Sequence, residues 1–180
     1  MNNLLKGAAL VYILIKELLE KHPDIRIRKI VVQEMMYFLE RKLSLDFRFS
    51  MYHYGPYSEL VDIYLNFLEN RDFLDIKWDS KSGYSITIKK EQEVNEITKN
   101  FEKIISDEEK TAIQEVVVKY GEIQPRAVKL SIIATALFMK DNFGVKDSEI
   151  VNVIKSVKPQ YSYNFIEKTL NEAFQYKDFP

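Results

Sequence analysis

Residues 47–58, FRFSMYHYGPYS, interrupt a chain whose apolar side chains otherwise follow mostly helical spacing. In residues 47–54 large apolar and polar side chains alternate, which predicts a strand. Gly55-Pro56 breaks this strand, and Ser58 is placed to cap a helix that runs to about Asn70. The sequence therefore predicts a strand that passes directly into a helix through a tight corner.

The segments on either side of this corner have clear periodicities. Residues 4–21 and 28–43 carry apolar side chains at helical spacing, and His22-Pro23 separates the two helices. In residues 73–90, FLDIKWDSKSGYSITIKK, two alternating runs flank the turn residues DSKSG, which predicts a β-hairpin. Residues 91–180 follow helical patterns.

This order of elements predicts a mainly α protein of the α+β class. Its first half is expected to be winged-helix-like, with the hairpin as the wing, and its second half all-helical. In that second half Ser106 and Glu109 stand at capping-box spacing, and KLSIIATALFM is apolar on most faces and so predicted to be central to the core. We predict a winged-helix-like domain over residues 1–90 and a helical domain over residues 91–180, docked on the first.

Composition excludes several classes of protein. The 26 basic and 27 acidic residues give a net charge of −1, whereas proteins held to nucleic acid by bulk electrostatics usually have a basic surplus. The absence of cysteine excludes disulfides and thiol catalysis and is typical of a reducing cytosol. The longest apolar run, GAALVYILIKELL, is interrupted by Lys16 and Glu17, short of the roughly 20 residues of a membrane span. A cytoplasmic protein without a membrane segment is predicted.

The two histidines do not form a recognisable catalytic or metal site. No nucleophile elbow, triad or paired carboxylates accompany His53, and its spacing predicts a hydrogen-bonded histidine on the apolar face of the strand. His22 is explained by its position at a helix end. No spacing of the kind found in zinc sites or phosphate-binding loops is present. We predict no catalytic residue, no cofactor and no metal; an enzyme centred on His53 and the neighbouring tyrosines is the alternative.

The aromatic side chains of the corner have two interpretations. Phe47, Phe49 and Met51 are predicted to fill the core. The tyrosines Tyr52, Tyr54 and Tyr57 either join that core or form an exposed surface that binds a partner protein.

Basic residues gather at two places, which makes nucleic acid the competing partner. They are Arg26, Arg28 and Lys29 around the start of the second helix, and Lys77, Lys81, Lys89 and Lys90 on the hairpin. Such side chains are able to contact phosphates. The third helix, however, carries Glu59, Asp62 and Glu69, which would repel the major groove that a winged helix normally enters.

The sequence resembles a group of small prokaryotic proteins, the SocA-like antitoxins with the Panacea domain and the uncharacterised proteins related to them. The resemblance rests on YHYGPYSELV, on the hairpin that follows, and on KLSIIATALFM and VKPQYSYNFIEKTL in the second half. It implies a non-enzymatic protein that acts through protein contacts, such as toxin neutralisation, or a regulator of unknown target. It supplies no catalytic residues.

These observations predict a non-catalytic macromolecule-binding protein whose partner is another protein, in a toxin–antitoxin or defence setting. The alternative is a DNA-binding transcriptional regulator of winged-helix type that uses the wing and the cluster of Arg26, Arg28 and Lys29. Formation of a homodimer is left open.

Overall fold

The computed structural model describes residues 3–80, 83–89, 96–124 and 126–174, and these ranges form a mainly helical α+β fold. The elements in chain order are α1 (Asn3–Lys21), β1 (Ile27–Arg28), α2 (Lys29–Leu43), β2 (Ser50–Tyr52), β3 (Gly55–Tyr57), α3 (Glu59–Asn70), β4 (Leu74–Asp79), β5 (Gly83–Ile88), α4 (Glu96–Ile104), α5 (Asp107–Gly121), α6 (Arg126–Phe143), α7 (Asp147–Val157) and α8 (Tyr163–Phe174). The predicted fold class, mainly α with a β-hairpin and an all-helical second half, is confirmed.

Local capping explains where several helices begin and end. The Ser58 hydroxyl accepts a hydrogen bond from the Val61 N–H at 3.3 Å and so caps α3. Ser106 and Glu109 form the predicted capping box at the start of α5. At the end of α6, Gly144 has a φ of +66°, a left-handed conformation that glycine adopts without strain.

The strands form two small antiparallel sheets. In the first, β4 and β5 make the predicted hairpin and β1 pairs with β5, which gives the order β1-β5-β4. In the second, β2 pairs with β3 across a tight turn, with Tyr52 opposite Gly55. The sequence did not indicate the two-residue strand β1. The winged-helix-like arrangement of the first half stays a prediction.

The predicted continuous strand over residues 47–54 is partly wrong. Only Ser50–Tyr52 is extended and paired, because Arg48 takes a left-handed φ of 56° and the chain reverses at His53 and Tyr54. This reversal also overturns the predicted core position of His53, which is exposed in the turn and lies against Tyr52 with 4.8 Å between ring centroids. The strand therefore ends at Tyr52, two residues before the end that the alternation in the sequence predicts.

Two hydrophobic clusters hold the helices together. The larger one combines side chains of α1, α2 and α3 with side chains of α4, α5 and α6, and the smaller one lies between α6, α7 and α8. Helix α2 is buried along nine consecutive residues, Val31–Leu39, where α1, α5, α6 and β3 pack around it. Helix α6 is buried over Leu130–Phe138, which confirms its predicted place in the core. The division at residue 90 stays a prediction.

None of the helices in the described part of the chain combines the length and the apolar character that crossing a bilayer requires.

We expect Ser58→Ala to lower the free energy of unfolding by about 1–2 kcal/mol, as measured by denaturant titration. Ser58 is fully buried, and its hydroxyl both caps α3 and donates to the Phe47 carbonyl, so alanine removes two interactions and leaves a buried acceptor without its donor. Ser50→Ala, at an exposed position of β2, is the control and should change stability by less than about 0.5 kcal/mol. Equal effects of the two substitutions would contradict this account of the corner.

Candidate functional site

A cavity of about 610 Å³ lies between the N-terminal and C-terminal halves of the protein. The start of α2, the β2–β3 turn and the end of the β4–β5 hairpin form one side of it. The first residues of α6 and the segment after α7 form the other. We call this space the aromatic cavity, because its lining includes Tyr52, Tyr54, Tyr57, Trp78 and Tyr84.

These five aromatic side chains, here called the aromatic rim, stand at the mouth of the cavity in two groups. Tyr52 and Tyr54 are 60% and 69% exposed, and the Tyr52 ring lies 5.5 Å from that of Tyr57. Trp78, 65% exposed, contacts Tyr84 across the hairpin with a centroid distance of 5.0 Å. The core interpretation is therefore wrong for Tyr52 and Tyr54. Their role as partner-binding residues stays a prediction.

Asp62 of α3 fixes one side of the rim. Its carboxylate accepts from the Tyr57 hydroxyl at 2.7 Å and pairs with the Lys29 ammonium at 2.6 Å. It also accepts from the Gln33 amide at 2.9 Å. Burial, and next the hydrogen bond to Asp62, raises the pKa of Tyr57 above its ordinary value, so this phenol stays protonated and keeps donating.

Buried polar groups from both halves meet at the bottom of the cavity, which we call the floor. Lys158, after α7, donates from its Nζ to the Tyr54 carbonyl and to the Ser131 hydroxyl, each at 2.8 Å. The Ser131 hydroxyl of α6 also donates to the Tyr54 carbonyl. The second half of the chain thus holds the β2–β3 turn in place through two hydrogen bonds to the Tyr54 carbonyl, and the bond between Lys158 and Ser131 links the two donors.

Glu34 of α2 also belongs to the floor, and neither of its carboxylate oxygens has a hydrogen-bond partner among the described residues. Gly55 allows this carboxyl group to approach the backbone, since a Cβ at that position would lie 2.7 Å from Glu34 Oε1. Burial raises the pKa of Glu34, and burial lowers the pKa of Lys158; the opposite charges of the two groups oppose both shifts. The floor therefore contains a buried acid and a buried amine that do not bond to each other.

The predicted phosphate-binding lysines are mostly neutralised by neighbouring carboxylates. The pairs are Lys29 with Asp62 at 2.6 Å, Lys77 with Asp75 at 2.5 Å and Lys89 with Asp72 at 2.5 Å. Lys81 and Lys90 lie outside the residues that the structure describes. Because a paired lysine gives up its aspartate when it contacts a phosphate, these pairs weaken the case for a DNA-binding wing.

Arg26 and Arg28 have a different environment. They line a second cavity of about 780 Å³, the basic cavity, whose lining also includes Lys21, Arg126, His22 and the acidic Asp24. Neither arginine forms an ion pair within the described ranges. Arg28, Ala127 and Val128 line both cavities, so the two spaces adjoin at the first turns of α2 and α6.

Sequence reasoning found part of this site and missed its floor. The same cavity is lined by residues that the sequence assigned to two competing functions. They are Arg28 and Lys29, predicted to bind nucleic acid, and the three tyrosines, predicted to bind a protein partner. Gln33 and Glu34 fall on what reads as a polar face of an amphipathic helix, so the sequence did not single out Glu34. Lys158, in the short KPQY connection, also gave no signal. His53 is exposed in the turn, and the described residues contain no cluster of histidine and carboxylate side chains of the kind that binds a metal.

Comparison with known protein families gives no matching family model, and comparison with curated proteins gives no match. The resemblance to the SocA-like antitoxins therefore stays a prediction.

We expect Glu34→Gln to change how stability depends on pH. Because the pKa of Glu34 is higher in the folded chain than in the unfolded chain, the wild type loses stability as the pH rises above the unfolded value of about 4.3. Glutamine does not titrate, so the variant should gain in unfolding free energy relative to the wild type between about pH 4 and pH 7. Denaturant titrations across this range measure the difference.

The exposed Glu122 provides the control, because Glu122→Gln should show no such growing difference from the wild type. If the difference for Glu34→Gln stayed constant with pH, Glu34 would not be a buried acid with a raised pKa.

Proposed function

We propose that this is a non-catalytic binding protein whose partner is another protein, and that the partner docks on the aromatic rim. The observation that carries the proposal is the clustering of exposed Tyr52, Tyr54 and Trp78 around an open cavity. Tyrosine and tryptophan are the residues most enriched at the energetic centres of protein interfaces, where they combine a large apolar area with a polar atom. The cavity is large enough to accept side chains of a docked segment.

The rigidity of the rim supports the same proposal. Tyr57 is fixed by Asp62, and the Tyr54 carbonyl is fixed by Lys158 and Ser131. A contact surface that is held in place before binding loses less conformational entropy when the partner arrives. Such a surface favours a protein that acts by binding and blocking its partner, as in a toxin–antitoxin or defence setting. The lack of cysteine favours a cytoplasmic location.

A DNA-binding regulator is the second candidate, favoured by Arg26 and Arg28 in the basic cavity. The acidic residues weigh against it. Lysines of the proposed wing are paired with Asp72 and Asp75, and α3 exposes Glu59 where a recognition helix would meet the groove. Of the predicted phosphate contacts that the structure describes, this leaves Arg26 and Arg28 without a paired carboxylate, which is few for tight binding to a duplex.

We expect the double variant Tyr52→Ala, Tyr54→Ala to weaken partner binding by roughly 30-fold or more, because truncation of a central aromatic contact often costs about 2 kcal/mol. A photo-reactive residue at position 54 would first capture the partner in cells. The affinity of the purified pair would then be measured by calorimetry.

Tyr163→Ala, at an exposed tyrosine of α8, is the matched control and should leave the affinity unchanged. The double variant should also unfold within about 1 kcal/mol of the wild type, because both rings are mostly exposed. Wild-type affinity in the double variant would exclude the rim as the docking surface.

For duplex DNA, we expect no tight binding at about 50 mM salt, where phosphate contacts are strongest. Fluorescence anisotropy with a labelled generic duplex measures this directly. Tight binding that fell steeply by about 200 mM salt would instead favour the regulator. In that case the double variant Arg26→Glu, Arg28→Glu should abolish DNA binding. Weaker DNA binding by the double variant Lys89→Glu, Lys90→Glu would show that the wing contributes to it.

A further inference from the structure

The carboxyl group of Glu34 requires an explanation that partner docking does not supply. It is almost fully buried, and no described residue donates a hydrogen bond to either oxygen. Buried polar groups without partners are rare in folded proteins, and each needs an explanation, of which a bound species is one. Glu34 lines the aromatic cavity, so a group that enters the cavity from outside is the natural source of the missing donors.

The floor specifies what that group must offer. In its ionised form, which donated N–H hydrogen bonds would favour, Glu34 presents two acceptor oxygens, whereas the neighbouring Lys158 presents a donor. A guanidinium would satisfy Glu34 but would face the amine of Lys158, and a carboxylate would satisfy Lys158 but repel Glu34. A planar group with adjacent N–H donors and a carbonyl oxygen satisfies both. The Watson–Crick edge of guanine has this arrangement, with N1–H and the 2-amino group as donors and O6 as the acceptor.

The walls of the cavity fit the faces of a base. Tyr52 with Tyr57, and Trp78 with Tyr84, provide two aromatic surfaces that line the cavity together with the floor. Stacking of a base on such side chains contributes substantially to affinity in nucleic-acid-binding proteins, and it does not depend on which base is present. Selection among bases would therefore come from the floor.

The adjoining basic cavity fits the phosphates. Arg28 lines both cavities and is the N-cap residue of α2, whose first turn has no side-chain cap. The first turn of α6, with Arg126, Ala127 and Val128, lines the same space. Neither first turn carries an acidic side chain. Two helix N-termini that converge with arginines form an environment that favours phosphate groups.

We propose that the two adjoining cavities bind a guanine nucleotide, with the base stacked on the aromatic side chains and against Glu34 and Lys158, and with the phosphates in the basic cavity. This site goes beyond the binding of a protein partner and does not depend on it. The bound base supplies the donors that Glu34 lacks within the described chain, and Arg28 connects the base site to the phosphate site.

Trp78 makes the proposal directly testable, because it is the single tryptophan of the chain and lines the cavity. Its fluorescence should change on titration of the purified protein with GDP and saturate. GDP should bind roughly tenfold or more tightly than ADP, because adenine presents neither donor to Glu34. Inosine diphosphate, which lacks only the 2-amino group, should fall between the two.

Two substitutions separate the base site from the phosphate site. Glu34→Gln replaces an acceptor oxygen by a donor and should weaken GDP binding by roughly tenfold or more, while ADP binding stays nearly unchanged. Arg28→Gln should weaken GDP and ADP alike and leave guanosine unaffected. Lys89→Glu, outside both cavities, is the control and should preserve the affinity for GDP.

The outcomes distinguish a free guanine nucleotide from single-stranded nucleic acid as the ligand, and they show whether either one binds. Binding of a guanine-containing single-stranded oligonucleotide without binding of GDP would overturn the nucleotide site in favour of single-stranded nucleic acid. No fluorescence change up to about 1 mM GDP, or equal affinities for GDP and ADP, would also overturn it. Loss of GDP binding in a Glu34→Gln variant that melts no earlier than the wild type would support it. The titrations contain no partner protein, so failure of partner docking on the rim would be a separate result.

Discussion

The burial of the middle of α2 on every side is the constraint on which the rest of this structure depends. A helix at the surface of a protein turns its polar residues to water, but α2 is enclosed by α1, α5, α6 and β3. Nine consecutive side chains, Val31–Leu39, are therefore removed from solvent, and Gln33 and Glu34 are among them. Each of these polar groups needs a partner inside the protein, because unpaired burial costs about 1–3 kcal/mol.

Within the described chain, only Gln33 meets that requirement. The side chain of Gln33 accepts from the Ser58 N–H at 3.0 Å and donates to the Ser58 carbonyl at 3.1 Å, which ties α2 to the corner before α3. The same amide reaches Asp62, which in turn holds Tyr57. The hydrogen bonds that satisfy buried Gln33 therefore also help to position Tyr57 in the aromatic rim. Glu34, one position further, has no such partner in the described chain and lies where the cavity begins.

This difference also explains how far the sequence could be interpreted. Helix boundaries followed from local signals, such as Ser58 and the Ser106–Glu109 capping box, which act over a few residues. The two-residue strand β1 depends on pairing with the distant β5, so periodicity did not reveal it. The β2–β3 turn is local, but alternation in the sequence continues through His53 and Tyr54, so the pattern did not show that the chain reverses there. Glu34 was missed because a helical pattern shows which face is most apolar, and it does not show that the opposite face is covered too.

The position of the β2–β3 turn connects the two proposals physically. On its outer side this turn exposes the rings of Tyr52 and Tyr54, and on its inner side the Tyr54 carbonyl is held by Lys158 and Ser131. A base bound against Lys158 would compete for the ammonium group that fixes this carbonyl. Occupation of the floor would therefore change how firmly the rim is held, and a partner that prefers the firmly held rim would bind with a different affinity. By linkage, that partner would change the affinity for the base by the same factor.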